Sequence, residues 1–226
     1  MSRDLPRHVV PPRLTWLRGG NALLVAGVAL GAFGAVTAAV MSRRSEAVDI
    51  AITLRLQAQR HQSLALVMKA ASWPGFPPQS RLIPPVAIAT MFALRLRTEA
   101  TFQFFAWGTA LIATVVKAFV RRPRPLPEQV RVVIAPLGGS SFPSGHVLTY
   151  VGVYGFMAVV VYGVSADSNV RWPATAGLIG LIGLVGPSRI YLGHHWPTDV
   201  TASYTLGLAY LVALLAVYRR VKAREI

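Results

Sequence analysis

Residues 21–41 read "NALLVAGVALGAFGAVTAAVM", 21 consecutive positions without a charged side chain. A helix of that length rises about 31 Å, enough to cross a bilayer's hydrocarbon core of about 30 Å. In lipid the backbone must satisfy its own hydrogen bonds, so apolar runs of this kind fold as helices. A secretory signal is the competing reading of this first run, but a signal's apolar region is only about 7–15 residues, which favours a retained span.

Four more runs share the character: "TFQFFAWGTALIATVV" (101–116), "VLTYVGVYGFMAVVVYGVSA" (147–166), "WPATAGLIGLIGLVGPS" (172–188) and "VTASYTLGLAYLVALLAVY" (200–218). Their small residues suit the close packing that holds helices together in lipid. A shorter run, "LIPPVAIATMFAL" (82–94), lies between Arg81 and Arg95. If those arginines snorkel to the interface it also crosses, giving six spans. The expectation is therefore an all-α polytopic membrane bundle of six transmembrane helices. It comprises a polar tail over 1–20, a single transmembrane domain over 21–218 and a basic tail over 219–226. Segment 42–80 mixes charge with helical apolar spacing and then breaks at "PGFPPQS". It predicts an amphipathic helix on the membrane surface or folded against the spans.

Composition excludes several classes. A chain that is 54% hydrophobic and 14% charged, with a mean hydropathy of +0.50, is not an ordinary soluble domain. The net charge of +15 is scattered between apolar runs, which argues against nucleic acid and for anionic lipid or phosphate. Without cysteine there are no disulfides, no thiolate catalysis and no thiolate metal site. The preference for Arg over Lys, with abundant Ala, Val and Gly, suits a GC-rich bacterial source. Lys and Arg divide almost evenly between the two sides, so they do not set the orientation. Relative placement does follow, because the loops containing 117–146 and 189–199 are two crossings apart and share one side.

Three polar segments lie in those loops. In "KAFVRRPRP" (117–125), Lys117 ends a span and Arg124 follows seven residues later. Taken alone, these cations are interfacial anchors; taken as a site, Lys117 gives a point charge and Arg124 a fork to phosphate oxygens. In "SFPSGH" (141–146), Ser144 and Gly145 mark a helix start, whose free N–H groups also bind anions, with His146 at the rim placed to exchange a proton. In "SRIYLGHHWPTDV" (188–200), a helix beginning near Trp196 and Pro197 puts His195 and Asp199 four residues apart on one side. The carboxylate then fixes the imidazole tautomer and leaves Nε2 as a nucleophile or base. His194 points elsewhere and reads as a rim or packing residue, with substrate contact as the alternative. Asp199 is also a plain first-turn acid, and Arg189 could simply snorkel at the end of its span. Together the three segments fit phosphoryl transfer, and neither a Walker loop nor an acidic cluster for magnesium is present in the sequence.

These segments resemble the signature of the type 2 phosphatidic acid phosphatase superfamily, which also contains bacterial acid phosphatases and vanadium-dependent haloperoxidases. The family pattern Lys-x6-Arg-Pro, Pro-Ser-Gly-His and Ser-Arg-x5-His-x3-Asp is matched by "KAFVRRPRP", "PSGH" and "SRIYLGHHWPTD" in the family order. The resemblance implies that His195 is the nucleophile of a phosphohistidine intermediate and that Asp199 orients it. It implies that His146 is the general acid and then the base. Lys117, Arg124, Ser144, Gly145 and Arg189 are implied to bind phosphate. No metal or other cofactor is expected, and the active site is expected on the extracytoplasmic side of a bacterial plasma membrane. The expected substrates are amphiphiles: phosphatidic acid, phosphatidylglycerol phosphate or a polyprenyl diphosphate such as undecaprenyl diphosphate. An anion transporter is the non-enzyme alternative, but the ionisable motif residues cluster at span ends and the span centres carry no charge.

Overall fold

A computed structural model describes residues 20–133 and 138–225. The described residues form helices and connecting turns: α1 (Gly20–Met41), α2 (Glu46–Gln57), α3 (Gln62–Ser72), a 3₁₀ turn (Trp73–Gly75), α4 (Gln79–Ala93), α5 (Arg97–Trp107), α6 (Thr109–Phe119), α7 (Gly145–Val164), α8 (Ser168–Tyr191) and α9 (Pro197–Lys222). The fold is an all-α membrane bundle. Of the polar tail expected over 1–20, residues 1–19 lie outside the described residues, and Gly20 already opens α1.

Among the described residues, five helices are long and apolar enough to cross a membrane: α1, α5 with α6, α7, α8 and α9. At 15 residues α4 is about 22 Å long and falls short of a full crossing by length alone. Its neighbours show that it nonetheless carries the chain from one end of the bundle to the other. Ser80, Arg81 and Pro84 border a cavity beside His146 and His195, whereas Met91 packs with Ala100 and Tyr218 at the far end. The chain must make that passage, because α1 ends beside Arg122 and Trp196 and α5 begins beside Glu225. Among the described residues six passages result, and both described termini lie at the end away from the cavity.

The most buried span is α7, and the others pack around it. Close approach explains one of its glycines: a Cβ at Gly152 would sit 2.5 Å from the Ala106 carbonyl oxygen, so α5 and α7 touch backbone to side-chain position. Phe102, Phe156 and Tyr218 form the far-end core, while Val147, Tyr150, Tyr154 and Ile190 fill the cavity end. Outward faces expose Leu23, Leu24, Val28 and Leu111, as a lipid solvent allows. At the far end Lys222 lies 3.0 Å from buried Glu99, which also accepts the Tyr218 hydroxyl at 2.8 Å. The basic segment expected as a tail from 219 is thus helical through Lys222, held by an ion pair the sequence does not reveal.

Segment 42–80 is not one amphipathic helix. It folds as α2, α3 and the 3₁₀ turn against the spans, with a break after Gln57, whose amide donates to the Arg131 and Tyr191 carbonyls at 2.8 and 3.0 Å. Ser72, at the end of α3, bonds Ser188 on α8 at 2.7 Å.

Candidate active site

Four helix ends meet at one end of the bundle, and each contributes a polar side chain. Lys117 lies in the last turn of α6, and Arg189 in the last turn of α8. Ser144 is the N-cap of α7, followed by Gly145 and His146 in its first turn. His195 precedes α9 and Asp199 is its third residue, where Oδ2 accepts the Trp196 N–H at 2.9 Å. Pro197 begins the helix, and this capping bond fixes its entry and so the position of His195.

A cavity of about 410 Å³ opens between these ends. Lys117, Arg124, Gly145, His146, Arg189 and His195 all line it. Ser144 and Asp199 do not. Ser144 is fully buried with no hydrogen-bond partner for its hydroxyl among the described residues, and Asp199 stands behind His195. Arg189 is 0% exposed, bonds Ser72 at 3.3 Å, and has no partner for Nε or its second terminal nitrogen among the described residues. It is therefore a buried cation, not the snorkelling residue that its place at a span end also allowed. Lys117 donates to the Ser140 carbonyl at 2.7 Å, and Arg124 to the His194 carbonyl at 2.9 Å.

His195 Nε2 lies 3.4 Å from Arg124, facing the cavity, and Nδ1 lies 3.5 Å from Asp199 Oδ2. The second distance exceeds a direct hydrogen bond, and contacts of this kind close in a reacting complex. Burial holds the His195 pKa well below the usual 6.5, and Arg189, Arg124 and Lys117 push it the same way. The ring is thus neutral near pH 7, with a free electron pair to offer. His194 is pushed down to about 3 by burial and then by Arg189 and Arg124. It does not line the cavity, and its ring sits edge-on 6.0 Å from Phe76. Burial also lowers Arg124, against the opposing pull of Asp199.

Several contributors have no sequence signature. Phe76 contacts the His146 ring at 4.8 Å, and the Arg189 guanidinium stacks over it at 4.9 Å. Gly75 leaves room for His146 itself: a Cβ there would fall 2.1 Å from ring atom Cδ2. Arg122 bridges Asp199 and Asp49 at 2.6 Å each. Among three neighbouring arginines nothing marks Arg122, and Asp49 looks like one more charge on an amphipathic helix. Among the described residues, no three His, Cys, Asp or Glu side chains group as a metal site would require.

The anion-demanding charge is specific. Lys117, Arg124 and Arg189 converge on the cavity, and among the described residues none is ion-paired to a carboxylate. Arg189 is buried and Lys117 and Arg124 are half-buried. Cations withdrawn from water without counterions are costly, and a phosphate brings several negative oxygens to such a place.

Comparisons with known proteins agree with this chemistry. The family model of the PAP2 superfamily matches residues 99–223. Phosphatidylglycerophosphatase B of Bacillus subtilis (strain 168) is 31% identical over 183 residues, covering 76% of this chain and 84% of that protein. Undecaprenyl-diphosphatase BcrC of the same organism is 32% identical over 87 residues, covering 38% of this chain and 40% of that protein. In fold, the chain is similar to the crystal structure of a transmembrane PAP2 type phosphatidylglycerolphosphate phosphatase from Bacillus subtilis. The TM-score is 0.74 at 24% identity, over 87% of this chain and 96% of the other. It is also similar to Aquifex aeolicus LpxE, with a TM-score of 0.57 at 22% identity, over 73% of this chain and 92% of the other.

Proposed function

The chain belongs to the PAP2 superfamily, and from that premise we propose that it hydrolyses the phosphate headgroup of a membrane lipid through a covalent intermediate on His195. It is an integral membrane lipid phosphatase, a phosphoric ester hydrolase. The observation that carries the mechanism is the convergence of Lys117, Arg124 and Arg189, none with a carboxylate partner among the described residues, on a cavity that also presents two histidines and that Arg81 borders.

Lys117, Arg124 and Arg189 take the equatorial oxygens, while the first turn of α7 adds backbone N–H groups from Gly145 onward. Beside them Ser144, whose own N–H is held by Ser203 at 2.7 Å, keeps a hydroxyl unpartnered among the described residues. Nε2 of neutral His195 attacks phosphorus in line. The N–P bond forms as the P–O bond to the lipid breaks, and the departing oxygen takes a proton from His146. In the second step His146 withdraws a proton from water, the water oxygen attacks phosphorus, the N–P bond breaks, and His195 returns neutral with inorganic phosphate released. Asp199 holds the His195 tautomer and faces the positive charge that develops on the ring. Nothing in these steps calls on a metal, so excess EDTA is expected to leave the rate unchanged.

The rest of the cavity supports a lipid substrate. Pro84, Trp107, Ala110, Ala113 and Val153 extend its lining down α4, α5, α6 and α7, an apolar path for a tail while the headgroup sits at the cations. The names of the two Bacillus relatives make phosphatidylglycerol phosphate and undecaprenyl diphosphate the substrates to test first, with phosphatidic acid beside them. We place the site on the extracytoplasmic face of a bacterial plasma membrane, as the family resemblance implies. Because the chain has no cysteine, a single Glu128→Cys substitution in the exposed loop at the cavity end reports this directly. Labelling of intact spheroplasts by an impermeant maleimide is expected, and labelling only after lysis would reverse the orientation.

The test of function is phosphate release from the three lipids by protein purified in detergent, with His195→Ala beside it. Release from at least one lipid that falls about 10³-fold or more in the variant is expected. Comparable release by a folded variant would remove His195 as nucleophile.

A further inference from the structure

We propose that Asp49 and Arg122 are positioning residues for the reaction, acting on His195 through Asp199 to keep a net negative charge behind the imidazole. The proposal rests on the reading of His195 as the nucleophile.

The geometry is a buried relay across three separate segments. One terminal nitrogen of Arg122 donates to Asp199 Oδ1 at 2.6 Å and to the Thr198 hydroxyl at 2.7 Å. The other donates to Asp49 Oδ2 at 2.6 Å and to Ser45 at 3.3 Å. Asp49 returns to the same helix end, where its Oδ1 accepts the Thr198 N–H at 2.9 Å and its Oδ2 the Thr198 hydroxyl at 2.7 Å. Asp49 and Asp199 are both 0% exposed. Short, charge-assisted bonds of this kind fix both carboxylates in place.

Arg122 alone would be enough to compensate Asp199. A plain structural pair would stop there, with one cation against one anion. Here a second buried carboxylate shares the same guanidinium, so the cluster holds two negative charges against one positive. The excess charge sits behind His195, whose neutral ring becomes positive when Nε2 bonds to phosphorus. It is therefore matched to the reacting state and not to the resting one, the condition under which an interaction accelerates a step. The surplus also has a counterweight, since the three cations of the phosphate site lie on the opposite side of the ring.

Asp49→Asn keeps the shape and an oxygen for the Thr198 N–H, and it removes the extra charge together with the Oδ2 bonds to Arg122 and the Thr198 hydroxyl. Its kcat on the best lipid is expected to fall about tenfold or more, as for other residues that orient a reacting group from behind. KM and the affinity for inorganic vanadate are expected to stay within about twofold. Arg122→Lys, which keeps the charge and loses the fork, is expected to retain more kcat than Arg122→Gln, and it carries the test if Asp49→Asn does not fold. A kcat within twofold of wild type for Asp49→Asn would overturn the proposal. So would a fall in which kcat, vanadate affinity and thermal stability decline together, the mark of a merely structural bond. His195→Ala measured in parallel separates the two claims. An active His195→Ala would overturn the nucleophile assignment, while an inactive one beside an unaffected Asp49→Asn would overturn only the relay.

Discussion

Gly75→Ala is the substitution whose effect the structure specifies most sharply. A Cβ at this position would lie 2.1 Å from Cδ2, 2.7 Å from Nε2 and 2.8 Å from Cγ of His146. Ordinary contact begins at 3.4 Å, so ring and backbone must part by about 1.3 Å. The ring has little room to yield, since Phe76 meets it edge-on at 4.8 Å and Tyr150 stacks at 6.5 Å on α7. Overpacking of this kind costs about 1–3 kcal/mol of stability. A displacement of about 1 Å in a reacting group costs about 10²-fold in rate. The lipid kcat is therefore expected to fall about 10²-fold in a protein that still folds. In the first turnover the burst of phenolate from an aryl phosphate, which leaves without a proton, should slow much less, because that step does not use the displaced acid. The second step still calls on His146 as base for either substrate. Steady-state phosphate release from the lipid and first-turnover leaving-group release from both substrates, with folding checked by size exclusion and helical circular dichroism, decide it. A lipid kcat within twofold of wild type would refute the claim that Gly75 sets the position of His146, and an equal loss in the first turnover of both substrates would refute the acid role.

Asp199→Asn should lower kcat by about 10²-fold or more with KM changed only a few-fold, because the amide holds the ring without facing its charge; an unchanged kcat would remove Asp199 from the reaction. For His194, held at about 3 when folded and near 6.5 when unfolded, the unfolded state binds more protons below pH 6.5. Its contribution to stability is therefore complete above pH 6.5 and is lost as pH falls toward 3, at up to about 1.4 kcal/mol per pH unit. Thermal unfolding in detergent between pH 7.5 and 5 should show a shallower acid loss in His194→Asn than in wild type, and identical slopes would contradict the shift. At the far end, Glu99→Gln leaves Lys222 without its buried partner and should lower the unfolding temperature while leaving kcat/KM at low temperature unchanged. A loss of kcat/KM there would show that the two ends are coupled.

The spans were legible because the absence of charge over some twenty residues is a local property, and the bundle keeps all five long ones. Motif residues were legible for the same reason. Lys117, Arg124, Gly145, His146, Arg189 and His195 are spaced within short segments, and crossing parity already set those segments on one side; the structure brings the six to one cavity. Contacts between distant segments left no trace. Asp49 bonds Thr198, 149 residues away, and Arg122, 73 residues away, so α2 looks amphipathic until its partners are known. Lys222 resembles a tail residue for want of Glu99, 123 positions earlier in the numbering. Local hydropathy also underrates α4, which makes its passage through the bundle by packing against α5 and the far-end core, not by length.

Covalent trapping tests the central claim most directly. Protein mixed with phosphate-labelled lipid and quenched in base within milliseconds, to preserve an acid-labile N–P bond, can be digested and its phosphorylated peptide sequenced. The mechanism requires the label on the peptide holding His195, and its absence from His195→Ala. Turnover with label on another residue, or turnover with no covalent label under conditions that trap a known phosphohistidine, would contradict it.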